Sequence, residues 1–368
     1  MKNKILYFGN FDCINGYAAI NRVIGNACIF DKLGYEINIY CHNLTNGMFS
    51  SPFLKNKNIH LIDKPFSGYS NYFRYAFYEK QINDNPSTKV VVMYNMPVIP
   101  FQKITKLCKR KNICVISDVT EWYDTKNLNP ILKPIKFFDT SIRMNTMNYK
   151  ADGLIVISEY LKIFYLKNYK KPLIKIPPIM DFSLFDKTIY NKDKGEKIVF
   201  GYIGSNRSGK DEILDCLQLI ANNPHKYEFM YIGSVNDKIK KRFSRFSNIN
   251  FIGKIGHREL ARYYEKIDYN IIVRKKSRAN NAGFPTKFAE SICYNTPVIC
   301  NDFSDIGYIL KNYNCGILID LKKLILVFNE SSNFGKNYEF DEVKNLFLAN
   351  HYKIEMSLFL KSVIREQN

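Results

Sequence analysis

Short apolar runs recur along the chain with amphipathic stretches between them. KILYFG (4–9), EINIYCH (36–42), KVVVMYN (89–95), NICVISD (112–118) and ADGLIVIS (151–158) are apolar almost throughout, as strands covered on both faces are. Between the first two lies AAINRVIGNACIFDKLG, which has helical periodicity and ends at Gly34, suited to the left-handed turn that closes a helix. Strand and helix in alternation predict a doubly wound α/β domain with a parallel sheet. The periodicity breaks in KKPLIKIPPIMDFSLFDKTIYNKDKGEK, which contains Pro172, Pro177 and Pro178. It restarts with KIVFGYIG (197–204), YEFMYIG (227–233), INFIG (249–253), YNIIV (269–273), TPVICND (296–302) and GILID (316–320). The expected organisation is a first α/β domain over 1–175, a linker over 176–195, a second α/β domain over 196–345 and a helix over 346–368. Two such sheets in tandem are expected to present a cleft at the carboxyl ends of their strands, where open α/β folds bind ligands.

The length, 368 residues, suits two domains, and 46% hydrophobic with 24% charged residues excludes a disordered or collagenous chain. Lys and Arg outnumber Asp and Glu by 54 to 34, a net charge of +20, so the surface attracts polyanions. Nucleic acid, an anionic bilayer and a phosphorylated small molecule all fit that sign. No RNP-type aromatic motif or helix-turn-helix signature is present, and the aromatic residues fall in strands and helices that need cores, so nucleic acid is set aside. The nine cysteines form no CxxC pair and read as small buried hydrophobes in a reducing compartment. MKNKILYFGNFDC reads as a first strand and not as a leader, and no apolar run is long enough to span a bilayer. A cytoplasmic protein is expected.

Two segments concentrate candidate chemistry. In KIVFGYIGSNRSGKDEILDCLQLI a strand enters a polar turn and then a helix. Gly204 to Lys210 matches the first seven positions of a P-loop, but Asp211 stands where a magnesium-holding Ser or Thr is required, and a carboxylate there is expected to repel phosphates. The same residues fit a second role, in which Lys210 and Arg207 beside backbone amides neutralise a diphosphate without metal; an exposed basic turn is the plainer alternative. The other segment is NNAGFPTKFAESICYNTPVICND. Pro285 suits the first position of a helix over Gly283 to Tyr294, and Asn295 the turn that ends it. Gly283 would let a ligand approach backbone amides, and Glu290 could accept hydrogen bonds from a sugar diol.

These two segments resemble those of retaining glycosyltransferases of the GT-B fold, most closely glycosyltransferase family 4 of capsule and lipopolysaccharide assembly. The resemblance covers most of the chain and is strongest from Lys197 to Asn301. Gly204 and Lys210 have the spacing of the family's strand glycine and diphosphate-binding lysine. Ala282 to Val298 is similar to its Glu-x7-Glu element, with Glu290 as the second Glu, which grips the ribose. The first Glu, which touches the donor sugar, falls on Ala282. Ser205 replaces the usual Arg after the strand glycine, and Gly283, Phe284, Pro285, Thr286 and Lys287 look like the subset with PTK or PNK before a single Glu.

The resemblance implies further site residues. Lys254 and Ile255 in INFIGKIGHREL correspond to the loop that cradles the base, and Arg274 ends a strand pointing to the same place. Gly16 falls in the turn after the first strand, and ICVISDVTEWYD is similar to an Asp-x-His-Glu segment, with Asp118 expected to orient an acceptor hydroxyl or take its proton. The implied activity is transfer of a sugar from a nucleoside diphosphate sugar to a hydroxyl of a growing, lipid-linked bacterial glycan, with no cofactor and no metal. Donor binding is expected on the second domain and the acceptor on the first. Segment 129–150 mixes Ile131, Leu132, Ile135, Phe137 and Phe138 with Lys133, Lys136, Arg143 and Lys150; it is either a helix buried on one side or a contact with an anionic membrane. An epimerase on the same fold is the rival enzyme.

Overall fold

The apolar runs form the strands of two parallel sheets. The computed structural model describes residues 2–13, 17–44, 56–123, 130, 132–180, 196–205, 211–256, 259–329, 334–335 and 337–365. The chain divides into one unit of Met1–Asp181, Ala282–Phe284 and Phe347–Asn368, and another of Phe182–Asn281 and Pro285–Leu346.

The first unit contains β1 (Lys4–Gly9), β2 (Glu36–Cys41), β3 (Ile59–Asp63), β4 (Thr88–Tyr94), β5 (Cys114–Val119), β6 (Gly153–Val156) and β7 (Leu173–Lys175). Their order in the sheet is β3-β2-β1-β4-β5-β6-β7, and every pair is parallel. The helix Tyr17–Asp31 lays Ile20, Val23, Ile24 and Ala27 against the centre of this sheet, and Gly34, at φ 87°, follows it as expected. The terminal helix Lys353–Arg365 inserts Met356, Phe359, Leu360 and Val363 into the same core. β3 and β7 were not legible from periodicity. Both are sheet edges, one exposing His60 and Asp63 and the other three residues long, so neither carries a two-sided apolar run.

One helix of this unit is inverted. Lys133–Ile142 turns Asp139 and Thr140 inward and leaves Ile135, Phe137, Phe138 and Ile142 from 43% to 60% exposed.

The second unit contains β8 (Ile198–Ile203), β9 (Tyr227–Ile232), β10 (Ile249–Gly253), β11 (Tyr269–Ile272), β12 (Val298–Asn301) and β13 (Gly316–Ile319), ordered β10-β9-β8-β11-β12-β13. Phe200, Tyr202, Phe229, Tyr231 and Ile271 fill one face, while Ile203, Ile232, Tyr264 and Ile267 form a smaller cluster on the other. In each sheet the strand order reverses beside the first strand, between β1 and β4 and between β8 and β11. Ligand sites in open α/β sheets lie outside the carboxyl ends at such points.

Candidate functional site

The reversal point of the second sheet is occupied by a charged cluster built around Asp211. Beyond β8, the chain from Asp211 runs antiparallel to the residues just past β11, with Asp211 bridged to Arg274 and Glu212 N donating to Val273 O at 2.8 Å. Asp211 Oδ1 accepts from Arg274 Nε at 2.7 Å, and Oδ2 accepts from Lys287 Nζ at 2.6 Å and Tyr202 Oη at 2.5 Å. Arg274 is fixed in turn by Asn301 at the end of β12, which accepts from its backbone N–H at 2.9 Å and donates to its carbonyl at 2.8 Å. Lys287 Nζ also lies 4.0 Å from the centroid of the Tyr202 ring.

The electrostatics follow from that geometry. Burial alone would raise the Asp211 pKa, but Lys287 and Arg274 outweigh it and hold the carboxyl well below its usual range. Burial lowers the Lys287 pKa and the Arg274 charge adds to this, with Asp211 pulling the other way. Tyr202 is raised by burial and by Asp211, so it stays a protonated donor. Asp211 therefore does not repel phosphates as expected from the sequence. One carboxylate is shared by two cations, and the cluster keeps a surplus positive charge.

The strand-end glycines make room for this arrangement. Gly204 has φ 138°, and a Cβ there would sit 3.4 Å from Lys287 Cε and Nζ. Its own N–H is spent on Ile232 O at 2.8 Å, so Gly204 serves the site by clearance and not by amide donation. Gly233, at φ 126°, passes so close to Gly204 that a Cβ would meet its carbonyl oxygen at 2.1 Å.

Lys287 and Glu290 lie on the helix Thr286–Cys293, which Thr286 opens. This start is three residues later than expected, because Pro285 takes ψ 113° as the cap and Gly283 precedes it outside the helix. Asn295, at φ 54°, ends the segment as predicted. Burial pushes the Glu290 carboxyl up to about 7 against the pull of Lys287.

Gly204, Arg274 and Lys287 are thus brought together, with Glu290 one turn beyond Lys287. Lys254 is exposed and Ile255 half-buried against the Ile203–Tyr264 cluster, both past the end of β10. Two strand spacings, about 10 Å, separate β10 from β8. Phe284 does not face a ligand; its ring is buried against Phe347 at 5.9 Å, and Ala282–Phe284 belongs with the first unit. Gly16, Arg207 and Lys210 lie outside the described residues.

Asp118 also departs from expectation. It is fully buried near the end of β5, where its carboxylate accepts from Arg22 Nη2 at 3.0 Å, Asn26 Nδ2 at 3.0 Å and Tyr7 Oη at 2.5 Å. Arg22 Nη1 is held by the carbonyls of Ile176 and Pro177. Both Asp118 oxygens are engaged with the interior, so this carboxylate ties β1, β5 and the first helix together and is not presented to an acceptor. Sequence reasoning missed Tyr202 and Asp211 as the organising pair; the available signal was an Asp placed directly after a basic loop.

Residues 197–325 match the model of the family described as glycosyl transferases group 1. No curated protein matches the chain. Among solved structures, the sucrose-phosphate synthase of Thermosynechococcus elongatus is 12% identical with a TM-score of 0.67, the match covering 100% of this chain and 97% of that one. WaaG, a glycosyltransferase involved in lipopolysaccharide biosynthesis, is 13% identical with a TM-score of 0.62, covering 99% and 98%. HepE of Anabaena, solved with UDP and glucose, is 11% identical with a TM-score of 0.63, covering 99% and 97%. At these identities the likeness establishes the fold: two parallel-sheet units of the GT-B type.

Proposed function

We propose that the protein is a retaining glycosyltransferase that takes a sugar from a nucleoside diphosphate sugar and joins it to a hydroxyl of a growing, lipid-linked surface glycan, without a metal ion, at the cytoplasmic face of a membrane. The observation that carries this reading is the pair Arg274 and Lys287, locked by Asp211 at the reversal point of the second sheet. Preorganised cations with surplus charge stabilise a departing diphosphate, which is the main electrostatic demand of the reaction. The match of residues 197–325 to glycosyl transferases group 1 supports the class, and UDP in the HepE structure supports the donor type.

In the proposed step the acceptor oxygen bonds to the anomeric carbon as the bond from that carbon to the phosphate oxygen breaks. The acceptor's proton passes to the departing phosphate on the same face, so the diphosphate leaves as the protonated product. Lys210 and Arg207 would add to the phosphate contacts, and Glu290 would accept from the ribose hydroxyls. Asp118 has no part in the proton transfer, because its oxygens are already bonded within the first unit. A membrane surface is favoured by the +20 charge together with the outward Ile135, Phe137, Phe138 and Ile142. Among the described residues no helix is long and apolar enough to cross a bilayer.

The test is a panel of nucleoside diphosphate sugars offered with and without polyprenol-linked glycans. Acceptor-dependent release of nucleoside diphosphate, with the donor's anomeric configuration kept in the product by NMR, is expected. Epimerised donor, or release independent of acceptor, would assign an epimerase or hydrolase instead.

A further inference from the structure

The first unit holds an arginine that the described residues leave half used. Arg143 follows the inverted helix Lys133–Ile142, opens a π-helical turn, Arg143–Met147, and is 1% exposed. Single π turns inside helices are frequent at functional sites. Its Nη1 donates to Asn95 Oδ1 at 2.7 Å, whereas Nε and Nη2 have no hydrogen-bond partner among the described residues. Those two atoms form one edge of the guanidinium, with parallel N–H bonds spaced to meet two oxygens of a single carboxylate or phosphate.

The surroundings hold that edge in place. Asn95 follows β4 with φ 41°; its N–H donates to Asp118 O at 3.1 Å and its Nδ2 to Thr120 Oγ1 at 2.6 Å. This is the carboxyl end of β4, beside the reversal point of the first sheet. Arg143 Cζ is 5.3 Å from the Tyr123 ring centroid, and Lys136 Nζ is 3.8 Å from the same centroid. A ring face offsets part of a cation's charge but supplies no acceptor for in-plane N–H groups. Burial and the Arg143 charge both lower the Lys136 pKa, with Asp139 and Glu121 opposing. Asp139 is turned to the start of the earlier helix Val98–Arg110, where its Oδ1 accepts from Val98 N at 2.9 Å. Asp139 and Glu121 both act on Lys136, so it is the unspent donor edge of Arg143, buried and without an acceptor among the described residues, that calls for an anion.

We infer that Arg143 anchors an oxyanion subsite in the first unit, its Nε and Nη2 edge taking a phosphate or carboxylate group, with Lys136 supplying a second positive charge. The naming of that group as part of the acceptor rests on the transferase reading; the binding itself does not.

The full chain is titrated with inorganic phosphate, and in parallel with acetate, at constant ionic strength, following the thermal midpoint. Saturable stabilisation by at least one of the two is expected. Arg143→Lys keeps the charge but loses the parallel edge and should weaken that binding about ten-fold or more. Lys136→Met should weaken it about three-fold, the scale of one partly screened charge. Lys287→Ala, which removes a cation of the second unit's cluster, should leave the Arg143-dependent part of the response in place. Binding that survives Arg143→Lys but disappears in Lys287→Ala overturns the subsite while the donor reading stands. Absence of any saturable response in the unaltered protein also overturns it. Should Arg143→Lys fail to fold, Lys136→Met decides, and unchanged binding there counts against the subsite.

Discussion

Replacing Asp211 by Asn tests whether one carboxylate organises the second unit's site. The change is nearly isosteric, but it removes the only charge that balances Arg274 and Lys287 in the trio, whose side chains are 14% and 11% exposed. The amide oxygen can accept from one of the three donors now bonded to Asp211, while the amide NH2 is left facing another. Breaking a buried pair by removing one partner costs about 3–5 kcal/mol, because the remaining charge is stranded. Two stranded cations put the expectation at about that range. With a urea dependence of about 1–3 kcal/mol per molar, the midpoint should fall by roughly 1–5 M. Trp122, the lone tryptophan, lies in the first unit, so its fluorescence follows that unit while far-UV circular dichroism follows both. A dichroism transition shifted to lower urea, with the Trp122 transition in place, locates the effect. The folded pKa of Asp211 is depressed, so its contribution is present above the ordinary carboxyl range near 3.8 and is lost as pH falls through the folded value. The variant should lack that acid limb. Adding Lys287→Met should restore part of the loss by removing one stranded charge. A cost below about 1 kcal/mol with the acid limb unchanged would refute the shared-carboxylate account.

Other perturbations probe separate parts of the structure. Glu290 has a raised pKa of about 7, so its protonated form favours folding below about pH 4.5 and that advantage is lost as pH rises through 7; Glu290→Gln should flatten this slope in thermal midpoints and weaken donor binding at pH 8. Gly233→Ala meets both a 2.1 Å contact and φ 126°, and should lose several kcal/mol, whereas Gly34→Ala, at φ 87° with nothing within 4 Å of the new Cβ, should lose about 1 kcal/mol; equal costs would mean that Gly233 is not pressed against Gly204. Transferase activity should survive EDTA, and abolition rescued by magnesium would remove the metal-free proposal. Flotation with anionic vesicles should decrease at high salt and in Phe137→Ser/Phe138→Ser, and indifference to both would dissociate the inverted helix from lipid.

Strands were legible in the sequence where they are buried on two sides. β1, β2, β4 and β5 announce themselves as apolar runs, while β3 and β7, on the edges, lack the pattern that burial imposes. The glycine and asparagine turns at Gly34 and Asn295 were legible because left-handed backbone is costly for other residues. Charge roles were harder to read, since a carboxylate's part depends on which cations the fold delivers to it. Asp118 ends a strand and looks available, yet Arg22 reaches it from a helix 96 residues earlier. Asp211 looks like a phosphate-repelling defect, yet Lys287 reaches it from 76 residues later. The inverted helix shows the same limit: alternating apolar and basic residues reveal an amphipathic helix but not which face turns inward.

The two units use one device with different charge outcomes. In each, a tyrosine two residues before the glycine that follows or ends the first strand, Tyr7 before Gly9 and Tyr202 before Gly204, donates to an aspartate at 2.5 Å. Burial raises both tyrosine pKa values, and the facing aspartate adds to it, so both hydroxyls remain donors. In the first unit the aspartate meets one cation, Arg22, whose Nη1 goes to backbone carbonyls, and the charges cancel, with Arg22 2% exposed and Asp118 0%. In the second unit the aspartate meets two cations, and cancellation leaves one positive charge at the reversal point of the sheet. A buried surplus charge is costly for a fold to maintain, and an anionic ligand arriving there offsets that cost as it binds. What the first unit leaves open lies elsewhere, in the unbonded Nε and Nη2 edge of Arg143 beside the end of β4. An incoming donor diphosphate would therefore be drawn to the second unit by surplus charge and an incoming oxyanion to the first by an unspent donor edge, which is why Lys287→Ala and Arg143→Lys should separate in their effects on phosphate binding.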